Sequence, residues 1–211
     1  MPDVVVAGAA GRMGCRVIAC LADAPDLALI GALEAPGHAA LGRDAGEVAG
    51  IGRLGVSITA DPPAALTRDR MLVEFSIPEA TLEHLRVVAR GGGRAVIGTT
   101  GFTAPQREEI ARLAEKVPIL VSPNMSVGVN LAFKLLAQMA HVLGDEYDVE
   151  ITETHHRFKK DAPSGTALRM AEVIADALGR DLDRAAVYGR KGTPGERARS
   201  EERRVGKECR L

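Results

Sequence analysis

The 211 residues leave room for one large α/β domain or two small ones. Apolar residues make up 46% of the chain and mean hydropathy is near zero, enough to bury a core and to exclude a disordered or fibrous protein. The 27 basic and 28 acidic residues nearly cancel, and aromatics are 3% with no Trp, so nothing points to a nucleic-acid or membrane-surface partner.

The chain opens Met1-Pro2-Asp3 and runs directly into Val4-Val5-Val6, with no basic region or small-residue cleavage site, so no export signal is visible. Uninterrupted apolar stretches, such as Leu27–Ile30, fall far short of a membrane span. Cys15, Cys20 and Cys209 form an odd set without metal-like spacing and fit a reducing cytoplasm. Strands are predicted at Asp3–Ala7, Ala28–Leu33, Val56–Thr59, Met71–Ser76, Ala95–Gly98 and Ile119–Ser122. Helical periodicity separates them at Met13–Leu21, Pro78–Arg90 and Pro105–Lys116, with each proline where a first turn tolerates it. Apolar strands alternating with helices imply a doubly wound, Rossmann-like parallel sheet covered on both faces.

The style changes after Asn124. Val127–Leu143 reads as a long helix with Leu131, Leu135, Leu136, Met139 and Leu143 on one side, and Asp148–Thr154 alternates as a strand with one wet face would. Ser164–Leu178 is a further helix, stopped by Gly179. The expected organisation is a dinucleotide-binding domain over 1–126 and a smaller α+β substrate domain over 127–199. Residues 200–211 are highly charged, carry neither period, and read as an unpacked tail.

Gly8, Ala9, Ala10, Gly11, Arg12, Met13 and Gly14 turn the first strand into a helix with G-x-x-G-x-x-G spacing. Gly8 allows the tight turn, Gly11 the approach of a phosphate, and Gly14 close helix–strand packing. The helix start offers N–H groups and a positive dipole end to a pyrophosphate. A glycine-rich turn alone is weak, and a purely structural strand–turn–helix has the same look. Glu34, at the end of the second strand and 20 residues beyond Gly14, strengthens the dinucleotide reading, since an acid there holds ribose hydroxyls. Gly98-Thr99-Thr100-Gly101 and Ser122-Pro123-Asn124-Met125 also follow strand ends, where ligands of such sheets sit.

The most informative stretch is Glu153–Ala167. His155, His156, Arg157, Lys159 and Lys160 place five potentially cationic side chains within six residues at a strand end. Ser164 then caps a helix, leaving the N–H groups of Gly165 and Thr166 to an anion. Such a cluster can receive a carboxylate, or more than one, and histidine or lysine there can deliver a proton as hydride arrives. A solvated basic turn is the plainer alternative. Zinc is disfavoured, because adjacent strand histidines point to opposite faces and no third ligand stands at metal spacing, so no metal site is assigned.

Together VVVAGAAGRMG, Glu34, EFSIPEAT, VIGTTGF, SPNMSVGVN and ETHHRFKKDAPSGTA resemble the 4-hydroxy-tetrahydrodipicolinate reductase family of bacterial lysine and diaminopimelate synthesis, in order from about Val4 to Arg199. The resemblance implies reduction of a cyclic imine dicarboxylate by NADH or NADPH. It assigns Gly8 to Met13 to the cofactor phosphates and Glu34 to the adenosine ribose. Gly98, Thr99 and Thr100, with Ser122, Pro123, Asn124 and Met125, fall at the nicotinamide end. Proton delivery falls to His155 and Lys159, and substrate carboxylate to His156, Gly165 and Thr166. It further implies a cytoplasmic homotetramer with a small-molecule substrate.

Two departures stand out. In well-known members of the family Arg follows the ribose-binding acid and can meet the 2′-phosphate of NADPH; Ala35 stands here, which predicts a preference for NADH. Members also continue for tens of residues beyond this C-terminus, so the second domain reads as truncated. The competing readings are a dehydrogenase of another small amino or keto acid and a non-catalytic nucleotide-binding remnant.

Overall fold

β1 (Asp3–Ala7) is buried from Val4 onward, as a run of β-branched residues covered on both faces requires. The glycine turn leads into α1 (Arg12–Asp23), which lays Gly14, Ile18 and Leu21 inward. There follow β2 (Ala28–Leu33), α2 (Ala45–Ala49), β3 (Ile58–Thr59), α3 (Pro62–Ala65) and β4 (Met71–Glu74). α4 (Pro78–Gly91), β5 (Arg94–Ile97), α5 (Ala104–Ala114) and β6 (Ile119–Val121) close the first of two packing units, Met1–Pro123. The computed structural model describes residues 1–155, 162–188 and the backbone of 202–208.

The six strands are all parallel, in the order β3-β2-β1-β4-β5-β6. The order reverses between β1 and β4, and in a sheet of this kind the crevice for a ligand opens at that point. Alternate residues of β1 serve opposite layers, as the pleat demands. Val5 and Ala7 join Leu72, Leu85 and Ile97 on one face, whereas Val4 and Val6 join Ile18, Ala32 and Ile58 on the other.

α2 and α3 are absent from the sequence reading because each is too short to show a period. α2 is built on one side chain: the Asp44 carboxylate accepts the N–H groups of Gly46 (2.9 Å), Glu47 (3.2 Å), Leu54 (3.0 Å) and Gly55 (2.7 Å). The Leu54 N–H foremost, with those of Glu47, Gly55 and Gly46, holds its carboxyl below the ordinary value against some desolvation. A depressed carboxyl contributes stability that is present above the unfolded value, about 3.9, and is lost as pH falls through the folded one. Asp44→Asn is therefore expected to lower the denaturant midpoint at pH 7, with the gap to wild type closing on acidification. A gap independent of pH would contradict this.

In the second unit, Asn124–Leu211, α6 (Val127–Leu143) runs into a 3-10 turn at Gly144–Glu146, followed by β7 (Glu150–His155), α7 (Gly165–Ala177), α8 (Leu182–Ala185), β8 (Ala186–Val187) and β9 (Glu202–Glu208). The unit begins three residues before the boundary read at Val127. The sheet order is β7-β9-β8, with both pairings parallel. This corrects the reading of the tail as unpacked. Arg203–Glu208 pairs with Glu150–His155 along the whole of β7, a pairing set by tertiary neighbours rather than by local period.

α6 takes the expected bounds but buries little within its unit. Phe133 is its one buried residue, while Leu131, Leu135, Met139 and Leu143, four of the five apolar residues read on one side, are 54%, 48%, 56% and 41% exposed. By length and composition alone Val127–Glu146, at a mean hydropathy of 1.3, is also long and apolar enough to cross a membrane. Counting uninterrupted apolar runs passes over it, because Asn130 and Lys134 break the run.

Candidate active site

The glycine turn adopts the shape its spacing predicts. Gly8 has φ +72, and a Cβ there would stand 2.6 Å from the Phe75 carbonyl oxygen. At Gly14 a Cβ would meet the Gly8 carbonyl oxygen at 2.1 Å, so α1 packs on the turn with no room for a side chain. Gly11 is the N-cap of α1 and no side chain caps it, which leaves first-turn N–H groups for an anion. Arg12 and Met13 are exposed in that first turn, whereas Ala9 is buried in the core.

Glu34 is half-buried at the end of β2. Its Oε2 accepts the Ala10 N–H at 3.0 Å and its Oε1 accepts the Ala35 N–H at 3.0 Å. The acid and the glycine turn are thus one unit, and both line a cleft of about 550 Å³ with Gly8, Gly11, Ala35 and His38. The opposite wall comes from the turn after β4 and the start of α4, with Phe75, Ser76, Ile77 and His84. These residues were not assigned to the site from sequence, although the rule that ligands sit beyond strand ends applies to β4 as to β5 and β6.

Gly98, Thr99 and Thr100 do not line this cleft but are joined to it. The Gly98 N–H donates to the Glu74 carbonyl at 2.9 Å, and a Cβ at Gly98 would fall 2.0 Å from the Phe75 ring. Thr99 is buried and its hydroxyl accepts from the Thr81 hydroxyl at 2.9 Å, while Thr100 is exposed. The Ser122 N–H donates to the Ile97 carbonyl at 3.0 Å, and Pro123, exposed, ends the unit.

In the second unit, Asn124 and Thr166 come together, the Asn124 amide donating to the Thr166 hydroxyl at 3.5 Å. The Asn124 side chain also accepts the Ser126 N–H at 2.9 Å, and Met125 is 40% exposed. Glu153, on the half-buried face of β7, is a residue whose role the sequence reading missed. Its carboxylate accepts the Ser164 N–H at 2.7 Å and the Ser164 hydroxyl, and stands 3.5 Å from His155 Nδ1. Ser164 in turn caps α7 by accepting the Ala167 N–H at 3.1 Å, as its position before the helix predicts. The end of β7 and the N-terminus of α7 are thereby fastened to each other, with Gly165 exposed on the first helical residue. His156 and Lys159 lie outside the described residues. Among the described residues no three His, Cys, Asp or Glu side chains are grouped to hold a metal.

Comparison with known proteins covers both units. The family model described as dihydrodipicolinate reductase, N-terminus, matches residues 2–125, and that for its C-terminus matches residues 128–208. Those residues include most of the segment 200–211 that reads as an unpacked tail. The 4-hydroxy-tetrahydrodipicolinate reductase of Citrifermentans bemidjiense is 50% identical over 201 residues, 95% of this chain and 75% of that protein. That of Geobacter sulfurreducens is 49% identical with the same coverage. Among solved structures, a dipicolinate-bound dihydrodipicolinate reductase from Paenisporosarcina sp. TG-14 shares the fold at a TM-score of 0.63 and 24% identity, covering 98% of this chain and 78% of that one. An amine dehydrogenase from Mycobacterium smegmatis aligns at a TM-score of 0.61 and 18% identity, covering 85% of this chain and 62% of that one.

Proposed function

The chain belongs to the dihydrodipicolinate reductase family, and on that premise we infer that it reduces 4-hydroxy-tetrahydrodipicolinate to tetrahydrodipicolinate with a nicotinamide dinucleotide, in lysine and diaminopimelate synthesis. The observation that carries the reading is the 50% identity over 201 residues, 95% of the chain, with the family's N- and C-terminal models matching residues 2–125 and 128–208.

The residues up to Met125 suit the cofactor. First-turn N–H groups of α1, left open by Gly11, hold the pyrophosphate, and Gly8 to Met13 shape the turn around it. Glu34, fixed by the Ala10 N–H, accepts from adenosine ribose hydroxyls. Gly98 to Thr100 and Ser122 to Met125 serve the nicotinamide end. Bound there, the reduced nicotinamide supplies the hydride.

The second unit handles the dicarboxylate. His156, with the N–H groups of Gly165 and Thr166 at the start of α7, holds carboxylate, and His155 and Lys159 deliver the proton that accompanies hydride addition. Glu153 beside Nδ1 of His155 orients the ring and leaves Nε2 to exchange a proton with substrate. The overall reaction loses water from the 4-hydroxy form and adds hydride and proton to the ring. We place the protein in the cytoplasm as a homotetramer, an assembly that sedimentation reads directly.

NADH is the preferred cofactor on this reading. Glu34 would repel an adenosine 2′-phosphate, Ala35 offers no cation to offset it, and no Lys or Arg lines the cleft among the described residues. Substrate formed in situ by condensing pyruvate with aspartate semialdehyde should drive oxidation of both cofactors, with kcat/KM about tenfold higher for NADH. Preference for NADPH would overturn the specificity. Absence of substrate-dependent oxidation with either cofactor would overturn the function.

A further inference from the structure

Glu74 ends β4 beside the switch point of the sheet, and it is the one wholly buried carboxylate among the described residues, 0% exposed. Its Oε1 accepts the Ser76 N–H at 3.0 Å, bending the chain into the Phe75–Ile77 turn. Its Oε2 lies 2.6 Å from His84 Nδ1, one helix face along α4, with the imidazole 12% exposed and bordering the cleft. A buried carboxylate is retained only with its partners, and both partners here belong to the wall of the cofactor cleft. That wall is tied to the other loops. The Phe75 N–H donates to the Ala7 carbonyl at 3.2 Å, its carbonyl oxygen fills the space that a Cβ on Gly8 would need, and its ring fills that of Gly98. A shift of the Phe75–Ile77 turn therefore moves the surfaces facing both the glycine turn and the loop after β5.

We propose that Glu74 and His84 are a positioning pair for the dinucleotide: the imidazole holds the buried carboxylate, and the carboxylate holds the Phe75–Ile77 turn at the height the cofactor needs. Neither residue meets substrate or the transferred hydride, so the pair acts on cofactor affinity and not on the chemical step. The proposal rests on the reading of this cleft as the dinucleotide site.

The test is NADH binding by nucleotide fluorescence, with steady-state kinetics on the same full-length variants. His84→Ala leaves the buried carboxylate short of a donor and is expected to raise the Kd and KM for NADH about tenfold, with kcat at saturating NADH within about twofold of wild type. His84→Asn, whose amide can still donate towards Glu74, should recover most of the affinity, a rescue that loss of packing alone would not produce. Should His84→Ala fail to fold, Glu74→Gln supplies the reading, since it keeps an acceptor for Ser76 and loses the charge. It too should raise the NADH Kd. An unchanged Kd in folded variants overturns the proposal, as does a fall in kcat and thermal stability without a change in Kd. Wild-type chain that binds no NADH would remove the cofactor reading itself, whereas wild-type binding matched by the variants removes only the role of the pair.

Discussion

Replacing Lys159 by Ala or Gln is expected to lower kcat by about 10²- to 10⁴-fold, the usual worth of a positioned general acid, while the Kd for NADH stays within about twofold. The split follows from the proposed division of labour: the glycine turn and Glu34 belong to the first unit, and Lys159 belongs to the cationic stretch of the second. His155→Gln should fall in the same direction. Its Nδ1 stands 3.5 Å from Glu153, which ties β7 to the capped start of α7 through Ser164. Glu153→Gln is accordingly expected to lower kcat by less than either direct loss, since an amide still accepts one bond from Ser164 but offers the imidazole no charge. Stopped-flow or steady-state measurement at saturating substrate separates these cases. Unchanged kcat in both the Lys159 and His155 variants would remove the two residues from proton delivery.

The second large effect is expected at Gly14. A Cβ at this position would lie 2.1 Å from the Gly8 carbonyl oxygen and 2.8 Å from Ala9 Cα, all of it backbone that cannot rotate away. Gly14→Val must therefore push α1 off the turn, and with it the N–H groups proposed to hold the pyrophosphate. Overpacking of this kind costs about 1–3 kcal/mol, so NADH affinity should fall about five- to 150-fold if that cost is met on binding, with a lowered Tm. Gly92→Ala is the control: Gly92 caps α4 at φ +70 with nothing within 4 Å, so it should lose stability and keep its NADH affinity. Gly14→Val protein that binds NADH like wild type would show that the turn is not the nucleotide site.

Where a feature depends on neighbours in the chain, its residues announce it. Asp3–Ala7, Ala28–Leu33 and Val127–Leu143 take the bounds their patterns predict, because apolar runs end at glycines, prolines or charged turns. The glycine turn and Glu34 are legible for the same reason, their spacing being that of one strand–turn–helix and the next strand end. Features made by residues that meet only in the fold are not. Glu74 and His84 pair because β4 ends against α4, Glu153 meets Ser164 from eleven residues away in the chain, and β9 exists because β7 and β8 flank it. Asp44 stands between these cases: an acid three residues before Glu47 is a helix-start signal, but its bonds to Leu54 and Gly55 are tertiary. In α6 the period is legible and the buried face is not, because Phe133 rather than the leucine stripe packs within its unit.

The most direct test of the account is hydride transfer itself. The chain should be supplied with substrate and with NADH deuterated at the transferred position of C4, and the product examined by mass spectrometry. A single deuterium in tetrahydrodipicolinate, absent when substrate or chain is omitted, is the expected result. Unlabelled product, or no product while the substrate persists, would contradict the assignment of this chain as a nicotinamide-dependent reductase of that dicarboxylate.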